Sequence, residues 1–199
     1  MRPSTTNTAI RFDFSPSKSL QAMAYFIGKL GGVDKVALTK LLYVADRDHF
    51  ISFGYPITGD RQCAMPHGPV PSNSLSVLDG EFGFTGDLDP YNFFNQNGYH
   101  LTIKHSPGVS DLSDSEIATL DLVLDRYGQI AKNTWRLVES THEFPEYKEV
   151  FREKTSTLIP YELIIKHYAD DRMLRDRPVI SQATASHMES PFWGSDSDL

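Results

Sequence analysis

The chain has 199 residues, 40% hydrophobic and 23% charged, with a net charge of −7. That length fits one domain with a sizeable core plus a tail. The charge argues against a binder of phosphate backbones, which needs a basic face, and no apolar run approaches the roughly 20 residues of a membrane span.

The opening residues contain no apolar h-region, so no secretory signal is expected. Residues 1–14 read as a mobile arm with a short strand at 9–14. Ser15 and Pro16 make an N-cap and first-turn pair. A helix follows with Leu20, Met23, Ala24, Ile27 and Leu30 on one face, ended by Gly31 and Gly32. Asp34 is placed to cap a second helix. Its residues Leu38, Leu41, Leu42, Ala45, His49 and Ser52 recur at helical spacing, predicting one core face. Gly68-Pro69-Val70-Pro71 reads as a stiff turn, with Ser72 capping a short helix over 73–78.

Residues 79–90 carry three glycines and several acids and read as a loop. Asn97-Gly98 between β-compatible arms predicts a hairpin. Ser113 and Glu116 form a capping box, with Leu112 and Ile117 set for a hydrophobic staple. That helix is expected to end at Gly128. Asn133 caps another helix through Trp135 and Val138, Pro145 opens a short turn, and a last helix runs from Tyr161 to Tyr168. Beyond residue 170 the periodicity stops and Ser, Asp and Pro dominate, which predicts a disordered tail over 171–199. The domain is therefore residues 15–170. The class expected is α+β: a single mostly helical domain with a small antiparallel β element.

Charge is uneven along the chain. Residues 62–131 hold two basic and nine acidic side chains, a solvated face or a surface that attracts a basic partner. Seven histidines and one cysteine invite a catalytic or metal reading. Asp46 and His49 lie three apart on one helix, but His49 sits in its apolar stripe and reads as a satisfied core histidine. His67, His142, Cys63 and Asp60 match no strong ligand or nucleophile pattern. Asp60, beside a turn, reads as an acceptor for backbone N–H groups. A lone cysteine excludes an intramolecular disulfide and makes a reducing cytoplasm the simplest home.

The segments KLLYVAD (40–46), YPITGD (55–60) and GPVPS (68–72), in that order, resemble the Panacea domain of SocA-like antitoxins and phage-associated GepA-like proteins. The likeness extends more weakly through residues 112–128 and the LVESTH stretch ending at His142. It covers roughly residues 20–147. Gln62 departs from it, where an aromatic or apolar residue would be expected. The motif positions Lys40, Leu41, Leu42, Tyr43, Asp46, Gly59, Asp60, Gly68, Pro69, Val70, Pro71 and His142 are taken as structural.

The resemblance implies an antitoxin that neutralises a cognate protein toxin by direct contact; the residues themselves demand no catalysis, cofactor or metal, and no membrane partner is expected. Some family members act as proteolytic adaptors, so a protease or its unfoldase is a further candidate partner. A homo-oligomer is compatible with the sequence, whereas DNA binding is disfavoured by charge and by the lack of a helix-turn-helix. A metal-dependent or cysteine hydrolase is the alternative from another class. The candidate partner-binding residues are Glu81, Phe82, Phe84, Asp87 and Asp89 in the acidic loop, and Phe192 and Trp193 in the tail, since aromatics dominate interface hot spots.

Overall fold

The structure, a computed structural model, describes residues 9–81 and 88–168. Helix α1 (Pro16–Leu30) begins at Ser15, whose side chain accepts from the Lys18 N–H, and ends at Gly31 with φ 72°. A two-residue strand, β1 (Val33–Asp34), leads into α2 (Lys35–Phe53), and the Asp34 carboxylate accepts from Val36 N–H at 2.8 Å. The expected strand at 9–14 is not formed. Those residues instead lie along the domain, where Phe12 meets Phe50 and Tyr161 edge-on.

Helix α2 is not one-sided. From Ala37 to Arg47 every side chain is buried, and the helix packs against α1, α5 (Asp114–Ala131), α6 (Thr134–His142), α8 (Tyr161–Tyr168) and strand β3 (Gly68–Pro71). The amphipathic expectation fails because Lys40, Asp46 and Arg47, which would ordinarily mark a wet face, each find a partner inside.

The segment read as a turn is this strand β3. It pairs antiparallel with β2 (Gln62–Met65), which in turn pairs with β6 (Thr157–Leu158), giving the order β3-β2-β6. Prolines are tolerated because β3 is an edge and they alternate. Pro69 and Pro71 stand opposite Ala64 and Gln62, and the β2–β6 bonding uses those same β2 residues. The proline nitrogens therefore face away from β2, and Gly68 and Val70 carry the ladder. The turn proper is Pro66-His67.

Helix α3 (Ser72–Leu78) follows without the expected Ser72 cap: among the described residues the Ser72 hydroxyl has no partner. Helix α4 (Pro90–Phe93) leads to the second sheet, β1-β5-β4, built on the hairpin β4 (Phe94–Asn97) and β5 (His100–Ile103). Asn97 pairs with His100, so the turn residues are Gly98 and Tyr99, one position later than the Asn-Gly signal suggests. Gly98 has φ 60°, which suits the first position of a type II′ turn.

The capping box of α5 forms in full, and α5 runs through Gly128 to Ala131. Gly128 does not stop it, having no positive φ; a Cβ there would meet Leu30 at 3.5 Å. In α6, capped by Asn133, the buried face is Leu137, Val138 and Thr141, so Trp135 is 63% exposed rather than in the core. A short helix α7 (Pro145–Val150) precedes α8. The result is a single α+β domain, mostly helical, with two small antiparallel sheets.

Candidate functional site

Three polar clusters surround α2. In the first, the Asp46 carboxylate, fully buried, accepts from Thr58 N–H at 2.8 Å, from the Thr58 hydroxyl and from the Gln62 amide at 2.9 Å. Burial raises its pKa to about 7, against the opposing pull of Thr58 and Gln62. Gln62 is thus a buried polar residue serving Asp46, which accounts for a polar side chain where an apolar one was expected. Asp60 accepts from Asn73 N–H at 2.8 Å, Ser74 N–H at 2.6 Å and the Ser74 hydroxyl at 2.7 Å. It caps α3 across 13 residues of chain, while the Tyr161 hydroxyl bonds its carbonyl at 2.8 Å. Gly59 beside it has φ 69°, and a Cβ there would stand 2.0 Å from the Asp13 carbonyl oxygen.

In the second cluster Lys40 Nζ donates to the Pro69 carbonyl at 2.8 Å. That oxygen is free because it faces away from β2. Burial lowers the Lys40 pKa to about 7. Gly68, at φ 91°, lies against Thr141, His142 and the Lys40 stem, so no side chain fits there. His142 stacks on Tyr147, 4.9 Å between ring centres, and burial lowers its pKa. In the third, the buried Glu146 carboxylate accepts from the Tyr43 hydroxyl at 3.0 Å and pairs with Arg47, whose guanidinium also covers the Phe144 ring at 3.8 Å.

His49 and Asp46 bond to different partners. His49 Nδ1 faces the Tyr55 carbonyl at 2.7 Å and Nε2 the Ser115 hydroxyl at 3.2 Å, and burial lowers its pKa. His67 is exposed with its ring edge-on to Trp135 at 5.5 Å. Cys63 is half-buried beside a cavity whose lining, among the described residues, contains no histidine. Among the described residues no group of three or more His, Cys, Asp or Glu is placed to hold a metal ion, and no helix is long and apolar enough to cross a membrane.

The family model for the Panacea domain of SocA-like antitoxins matches residues 38–148. The chain belongs to this family. Searches of curated proteins and of solved structures gave no match. In this Panacea domain the motif side chains Lys40, Leu41, Leu42, Tyr43, Asp46, Asp60, Val70, Pro69 and Pro71 are all buried, as are Gly59 and Gly68, and His142 is half-buried.

The candidate contact residues fall elsewhere. Glu81 is exposed just after α3, and Asp89 caps α4 through Tyr91 N–H at 2.9 Å. Phe82, Phe84, Asp87, Phe192 and Trp193 lie outside the described residues. Sequence reasoning missed the exposed Trp135 and the cavity beside Cys63. Trp135 differs from a core aromatic only in its phase relative to Leu137, and the cavity is assembled from residues 9–12, 59–63, 72 and 156–162, which share no local pattern.

Proposed function

We propose that the chain is a non-enzymatic antitoxin that neutralises a protein toxin by direct contact through surface segments, the framework of the motif being internal. One observation carries this: the side chains of the antitoxin-like motif are buried, His142 alone half-buried, and the polar groups of Lys40, Tyr43, Asp46 and Asp60 bond within the domain. They maintain a fold, and a buried side chain cannot touch a partner. Recognition then belongs to exposed and variable parts: the acidic loop with Glu81, Asp87 and Asp89, the hairpin, and the tail with Phe192 and Trp193.

The test co-expresses the full chain with the product of the neighbouring gene. Relief of its toxicity and a stoichiometric complex are expected. Glu81→Lys, Asp87→Lys and Asp89→Lys together should slow association at low salt by about tenfold and leave dissociation nearly unchanged. Truncation after Arg177 should preserve the melting temperature and impair neutralisation. Loss of toxin turnover alone would assign the tail to delivery toward a protease. Toxicity that persists with no complex formed would overturn the antitoxin reading for this pair.

A further inference from the structure

Residues 9–14 form an extended strap laid on the domain. Ile10, Phe12 and Phe14 are half-buried against the core, while Ala9, Arg11 and Asp13 between them are exposed. The outer end of the strap is held by the C-terminal part of the fold. Ile10 N–H donates to the Glu162 carboxylate, and the Phe12 ring stands edge-on to Tyr161 at 4.9 Å and to Phe50 of α2 at 5.8 Å. The inner end is pinned to residues 58 and 59. Ser15 N–H donates to the Thr58 carbonyl at 2.8 Å, and the Asp13 carbonyl crosses Gly59 with no room for a Cβ.

Residues 157–162, strand β6 and the start of α8, hold the same stretch of chain. Ile159 N–H donates to the Gln62 carbonyl at 2.8 Å, and the Tyr161 hydroxyl donates to the Asp60 carbonyl at 2.8 Å. Each segment completes the seat of the other. Without the strap, Glu162 loses the Ile10 N–H and Tyr161 loses its ring partner; without residues 157–162, Ile10 and Phe12 lose theirs. The region that matches the family, residues 38–148, contains neither segment.

The seam between the two segments is incompletely filled. A cavity of about 600 Å³ lies there. Four buried side-chain polar atoms lack a partner among the described residues, and three of them, Gln62 Oε1, Ser72 Oγ and Glu162 Oε2, belong to residues lining this cavity. None of the four lies on α1, α2 or α5. Gln62 is 1% exposed, so its oxygen is enclosed and meets water only when the seam opens. Unmet acceptors and missing van der Waals partners both raise the free energy of the closed seam relative to an open one. The weakest packing therefore coincides with the place where the two ends of the fold lean on each other. We propose that residues 9–14 and 157–162 are a clasp that opens and closes as one unit while α1, α2 and α5 stay folded, so that whatever engages one end of the chain loosens the other. Opening uncovers the rings of Phe12, Phe50 and Tyr161 and admits water to Gln62. This inference is independent of the antitoxin reading, since it concerns a motion of the fold whatever the partner does.

Amide hydrogen exchange of the full-length chain in low urea tests this. The N–H groups of Ile10, Ile159 and Leu163, bonded to Glu162, Gln62 and Pro160 respectively, are read against those of Leu120 and Val123 in α5. The first three should share one opening constant and one urea dependence, and should open at least about tenfold more often than the α5 pair. Phe12→Ala removes the ring that joins the two segments. It should speed exchange at Ile10 and at Ile159 by the same factor, at least about tenfold. The proposal is overturned by any of three results: Ile10 opens separately from Ile159, Ile159 exchanges only in the global transition with Leu120, or Phe12→Ala speeds Ile10 alone. The first two are read on the unaltered chain, so the test stays decisive if Phe12→Ala fails to fold.

Discussion

Asp60 does the work that Ser72 was expected to do. Helix α3 starts directly after a proline strand, and the Ser72 hydroxyl does not cap it. The orphan N–H groups of its first turn are met from outside by a carboxylate held in place by the Gly59 turn and the approach of residue 13. Asp60→Ala should therefore leave two N–H groups and a hydroxyl without acceptors, at a cost of about 2–4 kcal/mol. Urea denaturation measures this, and a loss under about 1 kcal/mol would mean that water replaces the carboxylate. That Asp60 accepts backbone N–H groups could be read from its place beside a turn. Which helix it serves could not, because its partners lie 13 and 14 residues away.

Elements with strong local signals formed where expected: α1 between Ser15 and Gly31, α2 from Asp34, α5 from its capping box, and α8 over Tyr161–Tyr168. Elements whose signal is composition alone did not. Glycine and proline at 68–71 suggest a turn, yet alternation on a sheet edge makes them a strand. Glycine at 128 suggests a stop, yet packing against Leu30 lets the helix continue. Gly128→Ala should then be neutral or stabilising by up to about 1 kcal/mol, because the added methyl meets ordinary van der Waals distance and alanine favours the helix. Differential scanning calorimetry decides this, and a melting temperature lowered by several degrees would show that the contact with Leu30 has no slack.

At the scale of the whole molecule, burying Lys40 and Asp46 in one helix couples stability to pH. The Lys40 pKa falls from 10.5 to about 7 on folding. Between those values the unfolded chain holds the extra proton, so this group makes stability rise as pH goes from about 7 to about 10. Asp46 acts in the opposite direction in a lower window. Its pKa rises from 3.8 to about 7 on folding, so the folded chain holds the extra proton and stability falls as pH climbs from about 4 to about 7. Together they place a minimum near neutrality. Lys40→Met should flatten the rise above pH 7, whatever it does to absolute stability. Urea midpoints of both proteins at pH 7, 8.5 and 10 provide the check, and parallel slopes would mean that the ammonium stays charged in the folded state.

The sequence alone determined the class of fold, the N-caps of α1, α2, α5 and α6 and the order of the main helices, because these depend on residues within a turn or two of one another. It also carried the family, through KLLYVAD, YPITGD and GPVPS in fixed order. The tertiary structure decided that α2 is central and buried on all sides. Only there do Asp46 with Thr58 and Gln62, Lys40 with Pro69, and Arg47 with Glu146 meet, across separations of 12 to 99 residues. Polar residues on a helix read as solvated until their partners are known. The cavity beside Cys63 lies beyond sequence reading for the same reason: only folding brings residues 11, 62 and 162 to its lining.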